Sequence, residues 1–191
     1  MLAGIKWVVD HGAKVVNLSL GGALFVVSAT FGSELSAGVE YAWSHGAVPV
    51  LASGNDDLFG AGIGSAEYGD INALVVGATG HDDKVSSYSS PTGNAKWAVV
   101  APGGSNTQTK ADDIYSTIWK KDAKNEYGYL AGTSMAAPHV TGAVALLLAQ
   151  GLTKEQAVER ILATADPVPC GANSDNCRGR INVARATGAI G

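Results

Sequence analysis

Two hydrophobic periods alternate along the first fifty residues. Leu2, Ile5, Val8 and Val9 recur at helical spacing and stop at Gly12, and the mostly apolar run 14–20 that follows has the length of a buried strand. The same order returns from Glu34. Leu35, Val39 and Trp43 mark a second helical stripe, which ends in His45-Gly46-Ala47 and passes into the apolar run 48–52. That boundary tripeptide repeats His11-Gly12-Ala13; it occurs only twice, so it marks two helix-then-strand units and no solenoid. Units of this kind, close together, predict crossovers in a parallel sheet. Further strands are expected at 73–78 and 97–100. A long apolar helix is expected over 134–149 with Gly151 as its stop, and another over 153–163, opened by the capping box Thr153-x-x-Gln156. The expected class is α/β, a parallel sheet with helices on both faces. The chain opens on a helix with no earlier strand to cross over from, so a single partial domain over 1–191, truncated at its N-terminus, is expected.

Composition narrows the function classes. Apolar residues make up 46% and charged residues 16% of the 191, with 25 Gly, which fits a loop-rich globular core and excludes a disordered chain. Thirteen Lys and Arg against seventeen Asp and Glu give a net charge of −4, which offers no footprint for nucleic acid or an anionic membrane. The longest apolar run, 143–149, is far short of the roughly 20 residues that span a bilayer. Asp10 and His11 interrupt the opening stripe, so no signal peptide is expected in this chain. Cys170 and Cys177 stand in a polar loop without a metal-binding companion, and a local disulfide, implying an oxidising compartment, is the better reading than two free thiols.

The stretch Gly132-Thr133-Ser134-Met135-Ala136-Ala137-Pro138-His139 carries the chemistry. A Ser at the start of an apolar helix sits where free N–H groups and the positive end of the dipole favour negative charge, so it can serve as a nucleophile; it can equally be a plain N-cap. Asn55, after Gly54, reads by itself as a turn residue.

Gly-Thr-Ser-Met-Ala-Ala-Pro-His-Val resembles the nucleophile segment of the subtilisin-like serine peptidases, and other segments agree in order. Val16-Asn17-Leu18-Ser19-Leu20-Gly21-Gly22 resembles the family's substrate-binding strand, and Ala52-Ser53-Gly54-Asn55 the segment with its oxyanion Asn. Val76-Gly77-Ala78, Val100-Ala101-Pro102-Gly103 and Gly179-Arg180-Ile181-Asn182 follow, so the resemblance covers nearly the whole chain and corresponds to roughly the C-terminal two-thirds of such a catalytic domain. It implies a serine endopeptidase that hydrolyses peptide bonds through an acyl-enzyme on Ser134, with Asn55 and the Ser134 N–H on the oxyanion. It implies that Ser19, Leu20 and Gly21 form an edge to which an extended peptide adds as a strand, and that Ala52, Ser53 and Gly54 line the pocket for the side chain before the scissile bond. Asp56, directly after Asn55, reads either as a charge that biases that pocket toward basic side chains or as an exposed loop Asp. Peptide or protein substrates and a secreted location follow from the same resemblance, and no cofactor is required.

Two departures matter. The family's catalytic Asp and His lie in Asp-Thr-Gly-like and His-Gly-Thr-His-like motifs, and neither occurs here. A Ser is a poor nucleophile without a positioned base, so the chain alone is expected to be inactive unless an N-terminal segment supplies Asp and His. The alternative is a degenerate peptide-binding module without catalysis. His139, five residues after Ser134, is turned by roughly 140° and displaced by about 7.5 Å, so it is expected to pack or to bond elsewhere. His11 and His45 are expected to cap helices, and His81 to lie in a polar turn with Asp82 and Asp83. In the second departure, Ser65-Ala66-Glu67-Tyr68 stands where members often show Pro-Ala before the Tyr, and a trans peptide is expected there. Calcium stabilises many members, but Asp56-Asp57, Asp82-Asp83 and Asp112-Asp113 show no ligand spacing, so no metal is assigned.

Overall fold

A computed structural model describes residues 1–20, 29–55, 68–120 and 123–189. Helix α1 (Leu2–Asp10) leads to β1 (Val15–Leu18), α2 (Ala29–Ser44) to β2 (Val48–Ala52), and β3 (Leu74–Thr79) and β4 (Ala98–Pro102) follow. A hairpin, β5 (Ile114–Lys120) and β6 (Ala123–Leu130), precedes α3 (Thr133–Ala149), α4 (Lys154–Ala163), β7 (Cys177–Arg180) and α5 (Val183–Thr187). Among the described residues, five strands form one parallel sheet in the order β1-β2-β3-β4-β7, and β5 and β6 pair antiparallel apart from it.

The strands read as unbroken apolar runs because both of their faces are covered. Val48, Val50, Leu74, Val76 and Val99 turn toward one core with Val140, Val144 and Leu147 of α3 and Ile161 of α4. Leu51, Val75, Val16 and Leu18 turn to the other, against Ile5 and Val9 of α1 and Val39 of α2. The period-2 alternation of a strand thus feeds two cores from one sequence run. All four expected strands and four expected helices are present, with ends shifted by a residue or two except that α2 begins earlier, at Ala29. The hairpin, β7 and α5 were not expected.

The repeated tripeptide is a repeated cap. His11 Nδ1 bonds the Trp7 carbonyl at 2.7 Å and His45 Nδ1 the Tyr41 carbonyl at 2.8 Å. Gly12 (φ 93°) and Gly46 (φ 85°) turn the chain, so that Ala13 N–H reaches Val8 O and Ala47 N–H reaches Ala42 O. Each imidazole also stacks on the aromatic ring four residues back, Trp7 and Tyr41 respectively. Helix α4 opens with the complete capping box, Thr153 with Gln156.

Cys170 and Cys177 are joined as a disulfide that closes the loop before β7. Seven residues of separation correspond to a chain-entropy gain of about 2–3 kcal/mol. Reduction is therefore expected to lower the melting temperature by roughly 4–12 °C, as read by circular dichroism with and without a phosphine reductant.

One carboxylate ties the C-terminal elements together. Asp166 accepts from Arg180 at 2.7 Å, from Asn182 at 3.1 Å and from Arg185 at 3.2 Å, while Arg180 also bonds Asp83 in the turn after β3. The Arg180 and Asn182 donors hold the Asp166 carboxyl below the usual carboxylate range. A pKa lower in the folded than in the unfolded chain means stability that is present above the unfolded value, about 4, and is lost as pH falls through the folded one. Asp166→Asn is expected to cost about 1–3 kcal/mol at pH 7 and to flatten the acid limb of stability, measured by urea unfolding at pH 7 and pH 3.

Candidate active site

The end of β2 runs into Ser53, Gly54 and Asn55, and this segment is held from several sides. Ser53 N–H bonds the Val76 carbonyl of β3, its hydroxyl donates to Ser90 O at 2.8 Å, and its carbonyl accepts from Tyr68 Oη at 3.2 Å. Burial pushes the Tyr68 hydroxyl up to about 12, so it stays a donor at neutral pH. Ser90 N–H closes the frame on the Gly54 carbonyl.

From the opposite direction comes α3, which begins after Gly132. Thr133, fully buried, clamps Asn55: its N–H donates to Asn55 Oδ1 at 2.9 Å and its hydroxyl lies 3.0 Å from the same oxygen. The Thr133 hydroxyl also contacts both polar groups of Gly54. A backbone N–H can bond only the oxygen of an amide side chain, so this contact fixes which way the Asn55 amide faces and leaves Nδ2 as its donor. Among the first four N–H groups of α3, that of Thr133 goes to Asn55, and those of Met135 and Ala136 go to the Gly132 carbonyl. The Ser134 N–H has no acceptor among the described residues. An N–H without an acceptor, beside an amide whose oxygen is already occupied, at the positive end of a helix, is an arrangement suited to a developing oxyanion.

Ser134 stands at the meeting point of three segments. Its hydroxyl donates to the Ser19 carbonyl at 3.4 Å, and the Ser19 hydroxyl donates to the Ser134 carbonyl at 2.8 Å. Beyond Ser19, Leu20 is exposed, and β1 is the last strand of the sheet on that side among the described residues. On the other side Ser134 lines a groove of about 390 Å³ between the hairpin residues Ile114, Ile118 and Leu130 and the helix residues Met135 and Pro138. The structure thus brings Ser134, Asn55, Ser19, Leu20, Ala52, Ser53 and Gly54 into one neighbourhood. Gly21, Asp56 and the 65–67 peptide lie outside the described residues. Thr133 and Tyr68 are the positioning residues that sequence reasoning missed; Thr133 belongs to the 132–139 motif, but nothing local to it announces a partner seventy-eight positions away.

No imidazole reaches the Ser134 hydroxyl among the described residues. His11 and His45 serve the helix caps, and His139 Nδ1 bonds the Met135 carbonyl at 2.8 Å, in line with the helical geometry. His81 lies in the turn between Thr79 and Val85. No group of three or more metal-binding side chains occurs among the described residues, and no helix there is long and apolar enough to cross a membrane.

Fold and site together describe a parallel α/β domain with a serine at the start of a core helix, an asparagine clamped beside it, and, among the described residues, a sheet edge along its flank. Solved structures share that fold: a lanthipeptide protease superposes with a TM-score of 0.77 at 18% identity, over 100% of this chain and 65% of that one. Fervidolysin from Fervidobacterium pennivorans gives 0.69 at 29% identity, over 98% of this chain and 28% of that one. The chain belongs to the subtilase family, whose model matches residues 1–189. It is 37% identical to thermitase from Thermoactinomyces vulgaris over 96% of its own length and 57% of that protein's, and 35% identical to subtilisin DY from Bacillus licheniformis over 86% and 54%. The chain spans a little over half the length of these relatives.

Proposed function

We propose that this chain supplies the nucleophile and oxyanion hole of a subtilisin-like serine endopeptidase, with the general base furnished by Asp and His residues outside it. The observation that carries the reading is the Asn55 clamp: the side-chain amide lies at the start of α3 beside the Ser134 N–H, which has no acceptor among the described residues. In the reaction, Ser134 Oγ attacks the peptide carbonyl as the base takes its proton. The carbonyl oxygen becomes an oxyanion held by Ser134 N–H and Asn55 Nδ2, and collapse expels the amine, which receives that proton. Water then repeats the sequence to release the acid. The extended substrate pairs with the Ser19 to Gly21 edge, and Ala52, Ser53 and Gly54 wall the pocket for its side chain. The open flank of β1 and the apolar groove beside Ser134 support a complementary segment that completes both sheet and triad. The Cys170–Cys177 disulfide supports a secreted protein. No cofactor enters this scheme.

The test is hydrolysis of a chromogenic peptide by the chain alone and after mixing with a subtilase N-terminal segment carrying Asp-Thr-Gly and His-Gly-Thr-His. The expected result is turnover in the mixture only, abolished by Ser134→Ala. A folded mixture that binds extended peptides but never turns them over identifies a binding module instead, and fast turnover by the chain alone refutes the external base.

A further inference from the structure

Ser134 lies on a helix whose second turn contains Pro138. A helical carbonyl accepts from the N–H four residues on, and for Ser134 that residue is Pro138, which has no N–H to donate. The Ser134 carbonyl has another donor, the Ser19 hydroxyl at 2.8 Å. Ser19 Oγ in turn accepts from Asn17 Nδ2 at 2.9 Å, and Asn17 Oδ1 accepts from the Thr141 hydroxyl at 3.0 Å. Thr141 shares its proton with the Ala137 carbonyl, 3.1 Å away, so it is anchored to the same helix that Ser134 begins. The three bonds run head to tail, and each polarises the next. Their direction follows from the Ser134 carbonyl, which can only accept: the Ser19 hydroxyl donates to it and so accepts from the Asn17 amide NH₂, which leaves the amide oxygen to accept from Thr141.

We infer that Asn17 and Thr141 are positioning residues for acylation at Ser134, acting through the Ser19 hydroxyl. This rests on the reading of Ser134 as a nucleophile. The relay replaces the helix bond that Pro138 removes and fixes the peptide unit leaving Ser134. Without it that unit turns, and the Cα bearing Oγ turns with it, at a centre where small displacements are costly. A purely structural capping role predicts a loss of stability only.

Two variants break the relay with little change in volume: Thr141→Val, and Asn17→Asp at an exposed position, whose carboxylate accepts the Ser19 proton and diverts it from Ser134. Ser134-Met135 is the sole Ser-Met pair in the sequence, so ¹³C-carbonyl Ser with ¹⁵N Met isolates its peptide unit in an NMR spectrum of the full chain. The Ser134 carbonyl resonance is expected to move in both variants and to return with Thr141→Ser. In the chain completed by the Asp- and His-bearing segment, the rate of Ser134 labelling by a fluorophosphonate is expected to fall about 5- to 10-fold in step, with Kd for an extended peptide unchanged. A carbonyl that stays in place overturns the relay while leaving the nucleophile reading intact. A carbonyl that moves without slowing the labelling overturns the positioning role. A wild-type chain that takes no label even when completed by the Asp- and His-bearing segment overturns the nucleophile reading and the positioning role together.

Discussion

Replacing Asn55 by Leu is expected to slow acylation of Ser134 by about 10²- to 10³-fold, with little change in peptide affinity. That magnitude is the one known for loss of the oxyanion-hole Asn in subtilisin, a member of the same family. The direction follows from geometry. Asn55 Oδ1 is occupied by the Thr133 N–H, so the opposite end of the amide is the donor, and charge develops on the carbonyl oxygen only as the tetrahedral intermediate forms. The interaction is therefore stronger in the transition state than in the bound substrate, and the loss should appear in kcat and not in KM. Asn55→Asp should be at least as damaging, since a carboxylate presents a negative charge to the oxyanion and still satisfies Thr133. Turnover of a chromogenic peptide, or fluorophosphonate uptake, by the chain completed with the Asp- and His-bearing segment checks both. A KM effect equal to the kcat effect would place Asn55 in substrate binding instead.

Two glycine-to-alanine substitutions should move stability in opposite directions. At Gly179 in β7, φ is 107° and an added Cβ would clash with the Asp166 carbonyl oxygen and meet the Asp166 carbonyl carbon at 3.0 Å and the Val168 nitrogen at 3.1 Å. All three are backbone atoms, and the first belongs to the segment that β7 pairs with: Asp166 N–H donates to Arg180 O at 2.7 Å and Arg180 N–H to Asp166 O at 3.0 Å. Alanine there has to separate the two segments, breaking that pair and pulling Arg180 from the Asp166 carboxylate. A cost of at least about 3 kcal/mol is expected, combining a strained left-handed residue with lost, partly buried hydrogen bonds. Gly142, in the interior of α3, is exposed and has nothing within 4 Å of an added Cβ. Alanine there should stabilise by about 0.5–1 kcal/mol, the difference in helix propensity. Thermal and urea unfolding of the two variants side by side tests the pair, and Gly179→Ala within about 1 kcal/mol of wild type would mean that β7 does not hold the 166–168 segment in this way.

The sequence alone determined the parallel α/β core. Its signals are local: continuous apolar runs of strand length between helical stripes, glycines at helix ends, and a capping box whose two partners lie three residues apart. It also marked Ser134, through the resemblance of the segment around it to a known nucleophile segment, and Asn55, which reads by itself as a turn residue and was marked only by its place in the order of familiar segments. The hairpin was legible in principle, since Tyr115, Thr117 and Trp119 alternate with Ser116 and Ile118. It escaped because its aromatic residues are exposed, Trp119 at 81%, and a strand without a buried face leaves no hydrophobic period to read.

Tertiary structure alone decided the rest. That Thr133 orients the Asn55 amide, that Tyr68 steadies Ser53, and that Asn17 and Thr141 converge on Ser19 are consequences of β1, β2 and α3 meeting at one corner of the sheet. Hydrogen-bond partners separated by tens or hundreds of positions have no spacing rule, because the loops between them can be of almost any length at little entropic cost. Short-range periodicity encodes which surfaces are buried. Which polar groups then face one another is fixed only when those surfaces pack.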